Sequence, residues 1–210
     1  MTDPIHHASD PMLAALAADA LPYPFAVLVA THVSLCDACR ARLDAHRIVG
    51  GLVLDDIAPA TLSKAARARV LAGLDAAPSE AAAAGGAPFP APLAGLVGRD
   101  GPPWRGLGFG ARQAILWSGG AGSIRLLSIP AGQAVPEHGH RGLELTLVLS
   151  GAFADETGAF GAGDLQVADE DLGHTPRATE DGPCLCVAAT DAPLRFRALI
   201  PRLLQPIFRI

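Results

Sequence analysis

The chain has 210 residues, 50% of them apolar and 18% charged, with a net charge of −5. That composition allows a folded core, excludes global disorder, and argues against a basic face for bulk nucleic-acid binding. With 23 glycines and 18 prolines the chain must turn often and should carry at least one linker.

The start, Met1-Thr2-Asp3-Pro4-Ile5-His6-His7, lacks the basic residues and apolar run of a secretory signal. The most apolar early stretch, Phe25 to Leu35, is too short to cross a bilayer, so a cytoplasmic protein is expected. In that compartment its four cysteines, spaced C-x2-C and C-x-C, point to metal or redox sites rather than a disulfide framework.

The first predicted helix covers residues 10–20, with Asp10 as cap, Pro11 at the first helical position, and Met12, Leu13, Leu16 and Leu21 on its apolar side. Leu21-Pro22-Tyr23-Pro24 ends it. A second helix is expected from Phe25 to Arg47, stopping before Gly50-Gly51, and a third from Leu62 to Leu74 with Ser63 as cap. The second helix carries His32, Cys36 and Cys39 at i, i+4 and i+7, which would share one face and suit a tetrahedral Zn²⁺. A fourth ligand could come from His6 or His7, just ahead of the first helix. His7 is preferred because it stands nearer the Asp10 cap, and His46 is a further alternative. A helical unit this small buries little surface, and zinc would staple it.

From Ala76 to Pro92 the sequence turns to Ala, Pro and Gly without large periodic apolar residues, which reads as a linker. Beyond it, candidate strands at Ala114–Ser118, Ser123–Ile129, Leu143–Leu149, Asp164–Val167, Cys184–Thr190 and Leu194–Ile200 alternate with glycine-rich turns. Such spacing suggests a small antiparallel barrel or sandwich, with the tail Pro201–Ile210 packed on it. Within this half, Gly132 to Gly151 reads G-x5-H-x-H-x3-E-x6-G. On an extended chain His138, His140 and Glu144 keep one parity and face one interior, where two imidazoles and a carboxylate suit a divalent transition metal. His174 is the candidate partner from a later strand. Cys184 and Cys186 share a strand face, as buried filling or as oxidation-sensitive thiols beside that metal.

The Gly132–Gly151 pattern resembles the first cupin motif. The second cupin motif is matched in part: Gly163 opens it and His174 falls in register, but Asp169, Asp171 and Ala178 replace its proline, glycine and asparagine. The run His32-x3-Cys36-x2-Cys39 after an upstream histidine resembles a zinc-binding anti-sigma domain. Together the two halves resemble the ChrR family of anti-sigma factors over essentially the whole chain. The resemblance implies an α+β protein of two domains: a zinc-binding anti-sigma helical domain at 1–75, a linker at 76–92, and an antiparallel β cupin (jelly-roll) domain at 93–210. It implies zinc at His7, His32, Cys36 and Cys39, and a metal, commonly zinc, at His138, His140, Glu144 and His174. It also implies an extracytoplasmic-function sigma factor as partner, held by the helical half and released under singlet oxygen or related stress through the barrel. The competing expectations are a metal-dependent cupin dioxygenase or isomerase, with Arg141, Arg177 and Gln166 as possible anion groups, and an interaction scaffold with structural metals.

Overall fold

The computed structural model describes residues 3–74 and 89–196. Most of the expected linker, the strand beyond Phe196 and the tail therefore lie outside the described residues.

The helical part begins with α1 (Asp10–Ala17). Ser9, not Asp10, is its cap: the hydroxyl accepts from the Met12 amide, and Asp10 becomes the first helical residue, where its charge favours the positive end of the helix. The expected single helix over 25–47 is two, α2 (Tyr23–Leu35) and α3 (Asp37–Asp55). The break falls at Cys36, whose backbone is extended (φ −123°, ψ 108°) and whose sulfur caps α3 by accepting from the Cys39 amide at 3.4 Å. Helix α3 then runs through Gly50 and Gly51, because neither adopts the left-handed conformation that ends a helix. Ser63 caps α4 (Lys64–Gly73) through the Ala66 amide. A short helix missed in the sequence, α5 (Ala91–Val97), buries Leu93, Ala94 and Val97.

The β part is one large sheet and two small ones. The large sheet is built from β1 (Arg105–Gly108), β2 (Ala111–Gly119), β3 (Gly122–Ile129), β5 (Glu144–Ser150), β8 (Leu165–Ala168) and β11 (Cys184–Thr190), in the order β1-β2-β3-β11-β5-β8. The small sheets are β10-β6-β7 and β12-β4-β9. Their strands are β4 (His138–Gly139), β6 (Ala152–Asp155), β7 (Gly158–Gly161), β9 (Gly173–His174), β10 (Arg177–Ala178) and β12 (Arg195–Phe196). The large sheet is buried on both faces, which explains why β5 reads Leu-Thr-Leu-Val-Leu after Glu144 rather than as a polar–apolar alternation. Ile124, Leu126, Leu145, Leu147, Val187 and Ala189 point to the helices and join one apolar cluster with Leu13, Leu28, Val29 and Leu93. The opposite parity, including Arg125, Glu144, Thr146, Cys184 and Cys186, lines a cavity of about 730 Å³ that the small sheets close from the other side. At the end of β5, Gly151 turns with φ +74°, and a side chain there would collide with the Pro183 carbonyl.

Candidate metal centres

Two clusters of donor side chains form among the described residues. In the helical cluster, the donor atoms of His7, His32, Cys36 and Cys39 all lie within 4.8 Å of one another. His32 Nε2 is 3.3 Å from Cys39 Sγ, and His7 Nδ1 is 3.3 Å from Cys36 Sγ. The three donors from α2 and α3 are buried and His7 is exposed. The expected arrangement on one unbroken helical face is replaced by a corner. His32 comes from the last turn of α2, Cys36 from the break and Cys39 from the first turn of α3. The corner places the Cys36 sulfur at the N-terminus of α3, where it accepts from the Cys39 amide. Burial pushes the Cys39 thiol up and the His32 imidazolium down, the Gly163 carbonyl partly opposing the latter.

His6 and His7 are separated by their neighbours. The His6 ring packs on Phe160 with centroids 4.4 Å apart, and its Nδ1 is 3.3 Å from Asp164 Oδ2, so it faces the barrel. His46 Nε2 lies 3.9 Å from Asp10 and outside the cluster.

The barrel cluster is His138, His140 and His174. Strands β4 and β9 pair with His138 opposite His174, so register sets that contact. The expected continuous strand from His138 to Glu144 is interrupted by a bend at Arg141-Gly142, held where the Leu143 amide donates to Asp191. His174 Nε2 is 3.1 Å from His138 Nε2 and 3.2 Å from His140 Nε2. His138 Nδ1 donates to the Pro136 carbonyl at 2.8 Å and His174 Nδ1 to Asp155 Oδ2 at 2.7 Å. Both acceptors lack a proton to give, so each Nδ1 carries the hydrogen and the Nε2 atoms are the ones turned toward each other. Burial, with the neighbouring imidazoles, holds His138 and His140 down at about 4, which favours their neutral, metal-binding form. The donor spacing suits a cation. Bonds of about 2.0–2.1 Å at tetrahedral angles put two ligand nitrogens about 3.3 Å apart, close to the spacing found.

Glu144 stands beside this trio but outside it, with Oε2 3.7 Å from His140 Nδ1. Burial raises its carboxyl to about 7 against the Thr146 hydroxyl and Arg125. Asp155, which the sequence did not single out, orients His174. Burial works against its charge, but hydrogen bonds from Thr157, Gln166 and His174 outweigh it and hold the carboxyl at about 2. Gln166 is thus occupied at 2.6 Å from Asp155, and Arg177 donates to the Gly132 carbonyl. Cys184 and Cys186 both face the cavity. Their mutual hydrogen bond, then burial, pushes Cys186 well above the ordinary thiol range.

A helical roof with a Cys2His2 donor set, laid on a β cup with a three-histidine set, defines an architecture with two candidate metal centres rather than a lone barrel. Residues 96–192 match the model of the ChrR cupin-like domain. The chain is 56% identical over 209 residues to the anti-sigma-E factor ChrR of Cereibacter sphaeroides, covering 98% of each. The crystal structure of Rhodobacter sphaeroides SigE in complex with the anti-sigma ChrR overlays with a TM-score of 0.78 at 54% identity, over 89% of this chain and 98% of that one. The chain belongs to the ChrR family of anti-sigma factors.

Proposed function

We propose that this chain is an anti-sigma factor that holds an extracytoplasmic-function sigma factor through residues 1–75 and releases it when residues 93–210 register singlet oxygen or a related oxidative stress. What carries the reading is the near full-length similarity to a protein solved with SigE bound. It is supported by an unpartnered apolar face. Ile48, Val49, Leu52 and Val53 on α3, and Val70 and Leu71 on α4, are exposed large apolar side chains of the kind a protein partner covers. Leu13 and Leu16 on α1 and Phe25 and Val29 on α2 do not belong to this face. Leu13, Phe25 and Val29 are buried and Leu16 is half-buried, all of them in the cluster beneath the large sheet.

His7, His32, Cys36 and Cys39 would hold zinc as a structural staple, closed to substrate because protein donors fill all four positions. His138, His140 and His174, with Glu144 as the fourth ligand, would hold a divalent metal, zinc in this reading. Bound there, the metal supplies Lewis acidity next to the cavity. The chain's own residues do the rest: Asp155 and Pro136 fix the imidazole tautomers, and Cys184 and Cys186 place two thiols on the same cavity wall.

Co-purification with the sigma factor tests the helical half. The Cys36→Ala/Cys39→Ala double variant should lose its partner, and a variant that still brings the sigma factor down would refute the zinc-stapled clamp. The barrel is tested separately. His174→Ala should keep inhibition and blunt the stress response, while unchanged induction would remove the metal from the sensing step.

A further inference from the structure

Half of the helical donor set is placed by the barrel. The segment Pro4–His7 lies along the turn from β7 to β8. The Ile5 and His6 amides both donate to Asp164 Oδ1, at 2.7 and 2.9 Å, and the Leu165 amide donates to the His6 carbonyl at 3.2 Å. Asp164 is itself fixed by the Gly161 amide at 2.8 Å and is buried. His7, the next residue, is the donor beside Cys36. One position earlier in the turn, the Gly163 carbonyl accepts from His32 Nδ1 at 2.9 Å, which leaves His32 Nε2 free to face Cys39. Gly163 has φ +93°, and a Cβ there would lie 2.7 Å from the Pro4 ring, so strap and turn meet without room for a side chain.

The same stretch of chain also reaches the other centre. Two residues beyond Asp164, Gln166 donates to Asp155 at 2.6 Å and to Thr157 at 3.0 Å, and Asp155 orients His174. Gly163 to Gln166 is three residues of chain, at most about 10 Å even if fully extended. The cysteines sit on the α2–α3 corner, and the strap reaches them only at its end, where the Ala8 amide donates to the Cys39 sulfur.

We propose that Asp164 is a positioning residue for the helical metal centre, and that the run Gly163-Asp164-Leu165-Gln166 couples the two centres. Asp164 holds the strap that carries His7, and the Gly163 carbonyl holds the tautomer of His32. A disturbance at His174 or Asp155 moves Gln166 and hence the turn, which loosens the two histidine donors ahead of the sulfurs carried by the α2–α3 corner. This rests on the reading that the helical donors hold zinc.

The test uses the full chain. Zinc content per polypeptide is measured first; then the helical centre is loaded with cobalt, and its thiolate charge-transfer and d–d bands are recorded. Zinc loss to a chelator is followed in wild type, Asp164→Ala and Ile5→Pro. The second substitution removes one amide donor at an exposed residue and leaves Asp164 intact, so it keeps the test open should Asp164→Ala fail to fold. Orienting partners of metal ligands are typically worth about 10–100-fold in affinity. Release from the helical centre should quicken by about tenfold or more in Asp164→Ala and by less in Ile5→Pro, with shifted d–d bands and undiminished binding at the barrel. His174→Ala should quicken helical release in wild type and add nothing on the Asp164→Ala background. Zinc present in the wild-type helical centre but released at the wild-type rate, with wild-type cobalt bands, in a folded Asp164 or Ile5 variant would overturn the positioning role. Additive effects of His174→Ala and Asp164→Ala would overturn the coupling. No zinc in the wild-type helical centre would instead sink the underlying reading and the proposal with it.

Discussion

Imidazole tautomers set the chemistry of the barrel centre. His138 and His174 each give their Nδ1 hydrogen to a fixed acceptor, and the Asp155 acceptor is kept ionised by three donors. Replacing Asp155 by Ala should weaken metal binding at the barrel by about 10–100-fold, read by competition titration. The same burial predicts an acid response of the metal-free protein. His138 and His140 are held near 4 when folded and return to the ordinary 6.5 when unfolded. At these two groups the unfolded chain binds more protons between those values; Glu144, raised to about 7, opposes them, but one carboxyl against two imidazoles leaves stability falling as the pH is lowered from about 6.5 to about 4. Denaturation midpoints of chelator-treated protein should follow that slope, and a flat profile would mean the imidazoles are not buried and neutral. At this scale the sequence showed much of the site. The H-x-H spacing and its parity were readable, and so was the His32, Cys36 and Cys39 set. Asp155 was not, because its partner is 19 residues away and only the packing of β6 against β9 and β10 brings them together. The choice of His7 over His6 follows from the strap, whose successive side chains turn to opposite sides, and this too needs the fold.

Among the elements, α2 and α3 show where periodicity misleads. No glycine or proline marks the break at Cys36, and cysteine is not a usual cap, so the pattern reads as one helix. Which apolar face points inward is a second ambiguity. The faces of α1 and α2 were legible as apolar, but a single helix does not say whether its stripe meets a core or a partner. The sheet claims Leu13, Leu28 and Val29, and the later turns of α3 are left open. Leu52 is 65% exposed, so Leu52→Asp should change stability by no more than about 0.5 kcal/mol, the usual range for surface positions. It should weaken sigma-factor binding at least tenfold. Calorimetric melting alongside binding assays separates the two, and a variant that binds like wild type would move the partner face elsewhere.

For the whole molecule, the helices and the large sheet bury their apolar residues in one cluster. Leu28 on α2 is fully buried in it, and truncation to Ala should cost about 2–5 kcal/mol, as for other core leucines. The loss should be felt in both halves. Protease protection of the barrel and of α1–α2 should fall together, and protection lost from the helices alone would indicate that the halves unfold independently. The antiparallel β character and its strand positions were legible from the apolar runs and glycine turns. The roofing of the sheet by α2 and α5 was not, since nothing in a strand buried on both faces says what covers each one.

Strand β5 illustrates what that double covering entails for the history of the chain. Glu144, Thr146 and Val148 answer to the cup while Leu145 and Leu147 answer to the helices, so no residue in this run has a solvent side on which change is free. Random substitution across the gene should therefore be purged here without the every-other-position leniency that most strands enjoy, leaving β5 among the slowest parts of the protein to drift.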